Sequence, residues 1–174
     1  MKRLTTLIMA VAALCSIPTA YAAPDKTQLA VWANEAIIAT YTFDYQNFMD
    51  QQKALAKYFT ADGWTAYSSA LATSGVPSVV LKNDYTVSAV ATMPPEIKQI
   101  GNNWEAVMPV LVVYKNVQFQ QKQTLNVTID FGEAPSGQGV RGFAITHLQS
   151  VAAEPPCQCV PVKEGGTQLP LNVQ

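Results

Sequence analysis

The spacing of apolar residues changes once along this chain, from a period near 3.6 to a period of 2. That change restricts the fold to helices followed by sheet. Between Thr27 and Tyr41 the apolar or small positions are 29, 32, 33, 36, 37 and 40, anchored by Leu29, Trp32, Ala36 and Ile37, the stripe of an amphipathic helix. The segment Thr42–Tyr45 interrupts it. A second helical pattern puts Phe48, Leu55, Ala56 and Phe59 on one face. Thr60 stands where a hydroxyl can accept from the first free N–H groups of a third helix, which carries Trp64, Tyr67 and Leu71. Gly75 and Pro77 end that helix.

From Val79 onward the alternation is that of strands. Val79–Thr92 is predicted as the first, stopped by Pro94-Pro95. Trp104–Tyr114 is apolar on both faces, so both are expected to be covered. Pro109 within it donates no ladder hydrogen bond and predicts an edge position or a bulge. In Val117–Phe131, Leu125, Val127, Ile129 and Phe131 face inward. The short Lys115-Asn116 turn joins this strand to the preceding one as a hairpin. Ala134–Gly139 is a loop by composition. Val140–Val151 is the last strand, with Phe143, Ile145 and His147 on one side. The fold class is α+β: three N-terminal helices packed on one face of a curved four-stranded antiparallel sheet.

Ahead of this domain, Lys2 and Arg3 precede an apolar run from Leu4 to Ile17, and Ala20-Tyr21-Ala22 supplies the small-residue exit of a secretory signal peptide. The run falls short of the roughly 20 residues that a membrane helix needs. The expectation is cleavage between Ala22 and Ala23 and residence in the periplasm, the alternatives being an uncleaved inner-membrane anchor or secretion from the cell. The domain is expected over 23–152, and 153–174, rich in proline and without periodicity, reads as an extended or disordered tail.

Charge is sparse, at 13% Asp, Glu, Lys and Arg. Loss of Lys2 and Arg3 from 11 basic residues leaves nine against 12 acidic, a net charge of −3. With no basic stripe, a nucleic-acid partner is excluded. Of three cysteines, Cys15 leaves with the signal segment, and Cys157 and Cys159 remain as disulfide candidates. A bridge across a single residue is strained, so pairing with another chain stands beside it. A closed zinc site needs about four ligands, and the lone histidine is His147, so no metal is expected. No cofactor is expected either.

The catalytic inventory is thin. Ser68, Ser69 and Ser136 lack a nucleophile-elbow setting, and Gly137, Gly139, Gly165 and Gly166 do not form a phosphate loop between strand and helix. The weak ligand-binding candidates are Asp44, beside Tyr41 and Tyr45, and His147. Burial in a pocket between helices and sheet would raise the Asp44 carboxyl and make it a base. The plainer role is a cap on the next helix. His147 among apolar strand residues is more readily a structural histidine.

Three blocks carry a resemblance: "WANEAIIATYTFDYQNFMDQQKALAKYFTADGWTAYSSAL" from Trp32 to Leu71, "WEAVMPVLVVYKN" from Trp104 to Asn116, and "QKQTLNVTIDFGEAPSGQGVRGFAITHLQS" from Gln121 to Ser150. They resemble the DotI/IcmL family, with its TraM relatives, of inner-membrane components of type IVB secretion systems, the Dot/Icm machines and IncI-type conjugation systems. The resemblance implies a periplasmic domain shaped as a nuclear-transport-factor-2-like cone. It also implies a non-enzymatic assembly role, with type IVB inner-membrane proteins or an anchored DotI/IcmL relative as partners, and no catalytic residues to carry over. Family components place a cytoplasmic segment and a transmembrane helix ahead of the domain, where this chain has the signal-like segment. A homo-oligomer is a further expectation, since another subunit would cover the second apolar face of Trp104–Tyr114. The alternatives are a small-ligand-binding or isomerase-like cone and a secreted effector.

Overall fold

The computed structural model describes residues 24–135 and 137–153. The signal segment with its Ala22–Ala23 junction, Cys157 and Cys159 lie outside the described residues.

The first helix, α1 (Lys26–Thr40), buries Leu29, Trp32, Ala33, Ala36, Ile37 and Thr40, the six positions of the stripe. Thr40 tolerates burial because its hydroxyl donates to the Ala36 carbonyl at 2.9 Å. The interruption that follows is a short strand, β1 (Phe43–Asp44), paired with a later strand. Next come α2 (Phe48–Ala56), α3 (Ala61–Thr73) and α4 (Val76–Lys82). Thr60 caps α3, its hydroxyl accepting from Gly63 N–H at 3.1 Å.

The strands are β2 (Thr86–Ala91), β3 (Glu96–Ile100), β4 (Asn103–Lys115), β5 (Gln120–Glu133) and β6 (Phe143–Ala153). They form one antiparallel sheet in the order β1-β2-β4-β5-β6, and β3 takes up β4 where β2 leaves it. The three expected helices are α1, α2 and α3, and the four expected strands are β2, β4, β5 and β6. One short helix and two short strands are added to them.

Four local expectations need correction. Val79–Thr92 is not one strand: its first part belongs to α4, because Gly75 at φ 73° turns the chain and Pro77 sits in the new helix's first turn. A run of valines over one helical turn cannot be told from a strand by alternation. The Lys115-Asn116 turn is longer, Asn116–Phe119, and the Asn116 side chain accepts from the N–H groups of Gln118 and Phe119 at 2.9 and 2.7 Å. Pro109 is in the sheet's interior strand, at neither a sheet edge nor a bulge. Its carbonyl accepts from Thr92 N–H at 3.0 Å, just where β2 has ended and β3 has not begun. The missing N–H of Pro109 faces that gap, where no ladder bond is required. Finally, β6 carries a register shift: Ile145 opposes Phe131, whereas His147 opposes Asp130. The extra residue, Thr146, reverses the alternation, so Leu148 rather than His147 continues the inward row opposite Ile129.

The core lies between α1 and the sheet's inner face, where Leu125, Val127, Ile129 and Phe131 are all buried. At the end formed by the last residues of β5, Trp32 stacks on Phe131 with centroids 4.9 Å apart, and Phe143 and Trp104 close around the pair. Trp32 Nε1–H donates to the Val140 carbonyl at 2.8 Å. The Val140–Phe143 turn has positive φ at Arg141 and Gly142, and Arg141 is tied down by an ion pair with Glu35.

Candidate functional site: a tyrosine-lined cleft and an apolar sheet face

The start of helix α3 lies close against the sheet. Thr60 N–H donates to the Ile145 carbonyl at 2.9 Å, and a Cβ on Gly63 would lie 2.6 Å from that same oxygen. Gly63 is therefore where helix and strand backbones meet, and it is the single buried residue of α3. Beyond it, Ala66 and Ala70 are too small to fill the space toward the sheet. The result is a cleft of about 460 Å³, closed off by the end of α1, by Phe43, by α3 and by the neighbouring stretches of β4, β5 and β6.

Tyr41, Tyr67 and Tyr114 come from three different elements to line this cleft. Burial pushes all three phenols up from their ordinary value. For Tyr41 a hydrogen bond with the Ser150 side chain works against that rise. The Tyr67 hydroxyl also reaches the Thr40 carbonyl, at a long 3.5 Å. The three hydroxyls are accordingly neutral at pH 7, able to donate or accept but not to act as anions.

His147 belongs to the cleft wall and is exposed on its strand. Asp44 does not line the cleft. Its Oδ1 accepts from Gln46 N–H and Asn47 N–H, each at 2.8 Å, and its Oδ2 accepts from Gln51 Nε2 at 3.0 Å. Gln51 Oε1 in turn accepts from Asp44 N–H at 2.9 Å. The backbone bond from Asn47, foremost among these, holds the carboxyl below its usual range. Asp44 thus fastens the loop that leads into α2, and the structure does not bring it together with His147. Among the described residues no three His, Cys, Asp or Glu side chains converge on a point that would hold a metal. The cleft tyrosines read as core aromatics in the sequence. The small residues at 63, 66 and 70 on one face of α3 are the signal that would have found it.

A second feature lies on the opposite side of the sheet. The outward residues of β4 are Glu105, Val107, Pro109, Leu111, Val113 and Lys115, and no described element covers them. Val90 stands opposite Leu111 and is 55% exposed; Val151, on β6, is 66% exposed. Within the described chain one face of β4 is thus covered, and no described element covers the other. No described helix is long and apolar enough to cross a membrane.

The family described as a type-IVb secretion system, inner-membrane complex component, matches residues 14–152. A crystal structure of an IcmL-like type IV secretion system protein from Legionella pneumophila subsp. pneumophila str. Philadelphia 1 is 62% identical, with a TM-score of 0.77. The alignment covers 79% of this chain and 100% of that one. The chain belongs to the DotI/IcmL family. The periplasmic domain of DotI is 30% identical, with a TM-score of 0.72 over 76% of this chain and 99% of that one. A nuclear-transport-factor-2-like protein from Salmonella enterica serovar Typhimurium shares 15% identity over 81% of this chain and 99% of that one. Its TM-score of 0.52 shows the cone-like fold alone. No curated protein matches the chain. DotI/IcmL relatives are thus type IV secretion components whose solved parts include periplasmic domains, and the α+β cone is common to them.

Proposed function

We propose that this chain is a non-enzymatic periplasmic component or accessory of a type IVB secretion or conjugation system, and that it works through protein–protein assembly. The observation that carries this reading is the 62% identity to an IcmL-like secretion protein matched over its full length. The open apolar face of β4 supports it physically. Exposed apolar patches rimmed by polar residues commonly mark protein interfaces; Glu105 and Lys115 end the apolar row of β4, and Asn126 of β5 flanks it opposite Pro109. A second copy of the chain or an inner-membrane relative would complete the face. The signal-like segment supports export to the periplasm, with a mature start at Ala23. The thin catalytic inventory and the commitment of Asp44 to loop bonds support a role without catalysis.

The test is affinity purification from detergent-solubilised membranes of a bacterium that carries a complete type IVB system. Recovery together with the system's inner-membrane proteins is the expected result. Failure to recover it there, while known components stay associated with one another, would overturn membership of the complex. Mass spectrometry of the same material reads the mature N-terminus, expected at Ala23. An intact Met1 in the membrane fraction would replace export by anchorage.

A further inference from the structure

We propose that the cleft beneath α3 is a binding site for a small neutral molecule with an apolar body and one hydroxyl or carbonyl group. Its volume, about 460 Å³, is many times the roughly 30 Å³ of a water molecule and falls in the range of roughly 300–1,000 Å³ typical of ligand pockets. The architecture sustains the space: Gly63 and Thr60 pin the start of α3 to β6, and Ala66 and Ala70 leave the span beyond them unfilled.

The chemistry of the wall selects the ligand. Leu71, Leu125 and Leu148 give it an apolar body. No Lys, Arg, Asp or Glu is among the wall residues, and its polar groups besides the tyrosines, among them His147, Gln123 and Gln149, lie on the exposed strand side, so no permanent charge compensates the desolvation of a charged ligand. Tyr41, Tyr67 and Tyr114 bring neutral hydroxyls to the wall; Tyr41 bonds the Ser150 side chain and Tyr67 the Thr40 carbonyl, and each keeps acceptor capacity for a ligand. A ligand hydroxyl or carbonyl uses such groups, and an ammonium or carboxylate finds no counter-charge. The site is independent of the outer sheet face, so binding here and assembly there can operate on one molecule.

The experiment uses the full mature chain and three naphthalene probes matched in size: 2-naphthol (neutral), 2-naphthoate (an anion) and 2-naphthylmethylamine (a cation at pH 7). Calorimetric titration is run to the solubility limit of each. The expected result is saturable binding of 2-naphthol, at least tenfold tighter than either charged probe. Independent controls come from the wall itself: Ala70→Trp fills the cleft and abolishes binding, with Ala66→Trp as the second filling variant should the first fail to fold. Tyr114→Phe weakens 2-naphthol several-fold, with an unchanged melting temperature. The proposal is overturned by the absence of saturable binding. Equal affinity for all three probes, or binding indifferent to a folded filling variant, would overturn it as well.

Discussion

The two ends of the α1–sheet sandwich share α1 and β5 and come out differently. Strand β5 runs through both, from Gln123 and Leu125 at the cleft to Phe131 at the aromatic cluster, roughly 20 Å apart by the rise of a strand. At the aromatic end Trp32, Phe131, Phe143 and Trp104 fill the space with rings, and Trp32 and Glu35 of α1 hold the Val140–Phe143 turn. At the other end α3 presents alanines, and the tyrosines stand around a void. The difference shows that one helix layer can close a sheet at one end and leave it accessible at the other. What changes between them is the element beside α1, the Val140–Phe143 turn at one end and α3 at the other, and the side-chain volume each end receives.

The comparison breaks most severely if the aromatic end is emptied. Trp32 is 2% exposed, and both its ring and its N–H are engaged. Trp32→Ala is expected to cost about 3–5 kcal/mol, a large part of the stability of a domain this size. Urea denaturation followed by circular dichroism measures it, and a loss below about 1 kcal/mol would show that the cluster is not a keystone of the fold. Next in size is Gly63→Ala. The new Cβ would press on the Ile145 carbonyl at 2.6 Å, backbone against backbone, and the helix-propensity gain of alanine cannot offset it. A loss of about 1–3 kcal/mol is expected, together with movement of α3 off β6. A stabilised variant would mean that the close approach is not real.

The aromatic end was also the more legible of the two in the sequence. Leu29, Trp32, Ala36 and Ile37 mark a buried helical face by spacing alone, and Leu125–Phe131 marks the facing strand by alternation. Thr60 declared the start of α3. What was not legible depended on tertiary geometry. The bulge at Thr146 leaves no mark in composition, so His147 was placed on the wrong side of β6. The helix at Val76–Lys82 was hidden because valines serve both periods equally. The cleft was invisible because a void is a property of what faces what: Ala66 and Ala70 look like ordinary helix formers until the sheet opposite them is known. Asp44, beside two tyrosines, suggested a pocket residue, and only the bonds from Gln46, Asn47 and Gln51 show where its carboxylate is spent.

A smaller effect tests how firmly the closed end is pinned. Glu35 accepts from Tyr58 Oη–H at 2.6 Å and pairs with Arg141, and the Tyr58 bond is the main cause that lowers its carboxyl. A lowered folded pKa means that this stabilisation is fully present above the ordinary value of 4.5 and is lost as pH falls through the folded value. Tyr58 is pushed up to about 12, by burial first and then by its bond with Glu35. Its contribution is therefore present below the ordinary 10 and is lost as pH rises toward about 12. Both groups are partly exposed, so each arm is worth about 0.5 kcal/mol or less. Melting temperature against pH should show the two shallow losses. Glu35→Gln should flatten the acid one and reduce the alkaline one only in part, because burial of the Tyr58 ring is untouched. An acid limb unchanged in that variant would place the responsible carboxylate elsewhere.

The smallest effect is expected where the molecule is open. Tyr114 lines the cleft, and burial raises its phenol, yet its hydroxyl adds little to the packing around it. The ring meets Tyr85 edge-on with centroids 6.5 Å apart, and Tyr114→Phe keeps that contact and the ring's apolar area. Removal of a hydroxyl that faces a void takes away no filled volume, so stability should change by less than about 0.5 kcal/mol. The same truncation inside the aromatic cluster, Trp32→Phe, removes one of the two hydrogen bonds that the Val140 carbonyl accepts, the other coming from Phe143 N–H, and leaves unfilled volume, and should cost several times more. The ratio of these two losses, read from parallel urea titrations, measures the asymmetry directly. If Tyr114→Phe costs as much as Trp32→Phe, the tyrosine end is packed as tightly as the aromatic end, and the two ends of the sandwich are not different in kind.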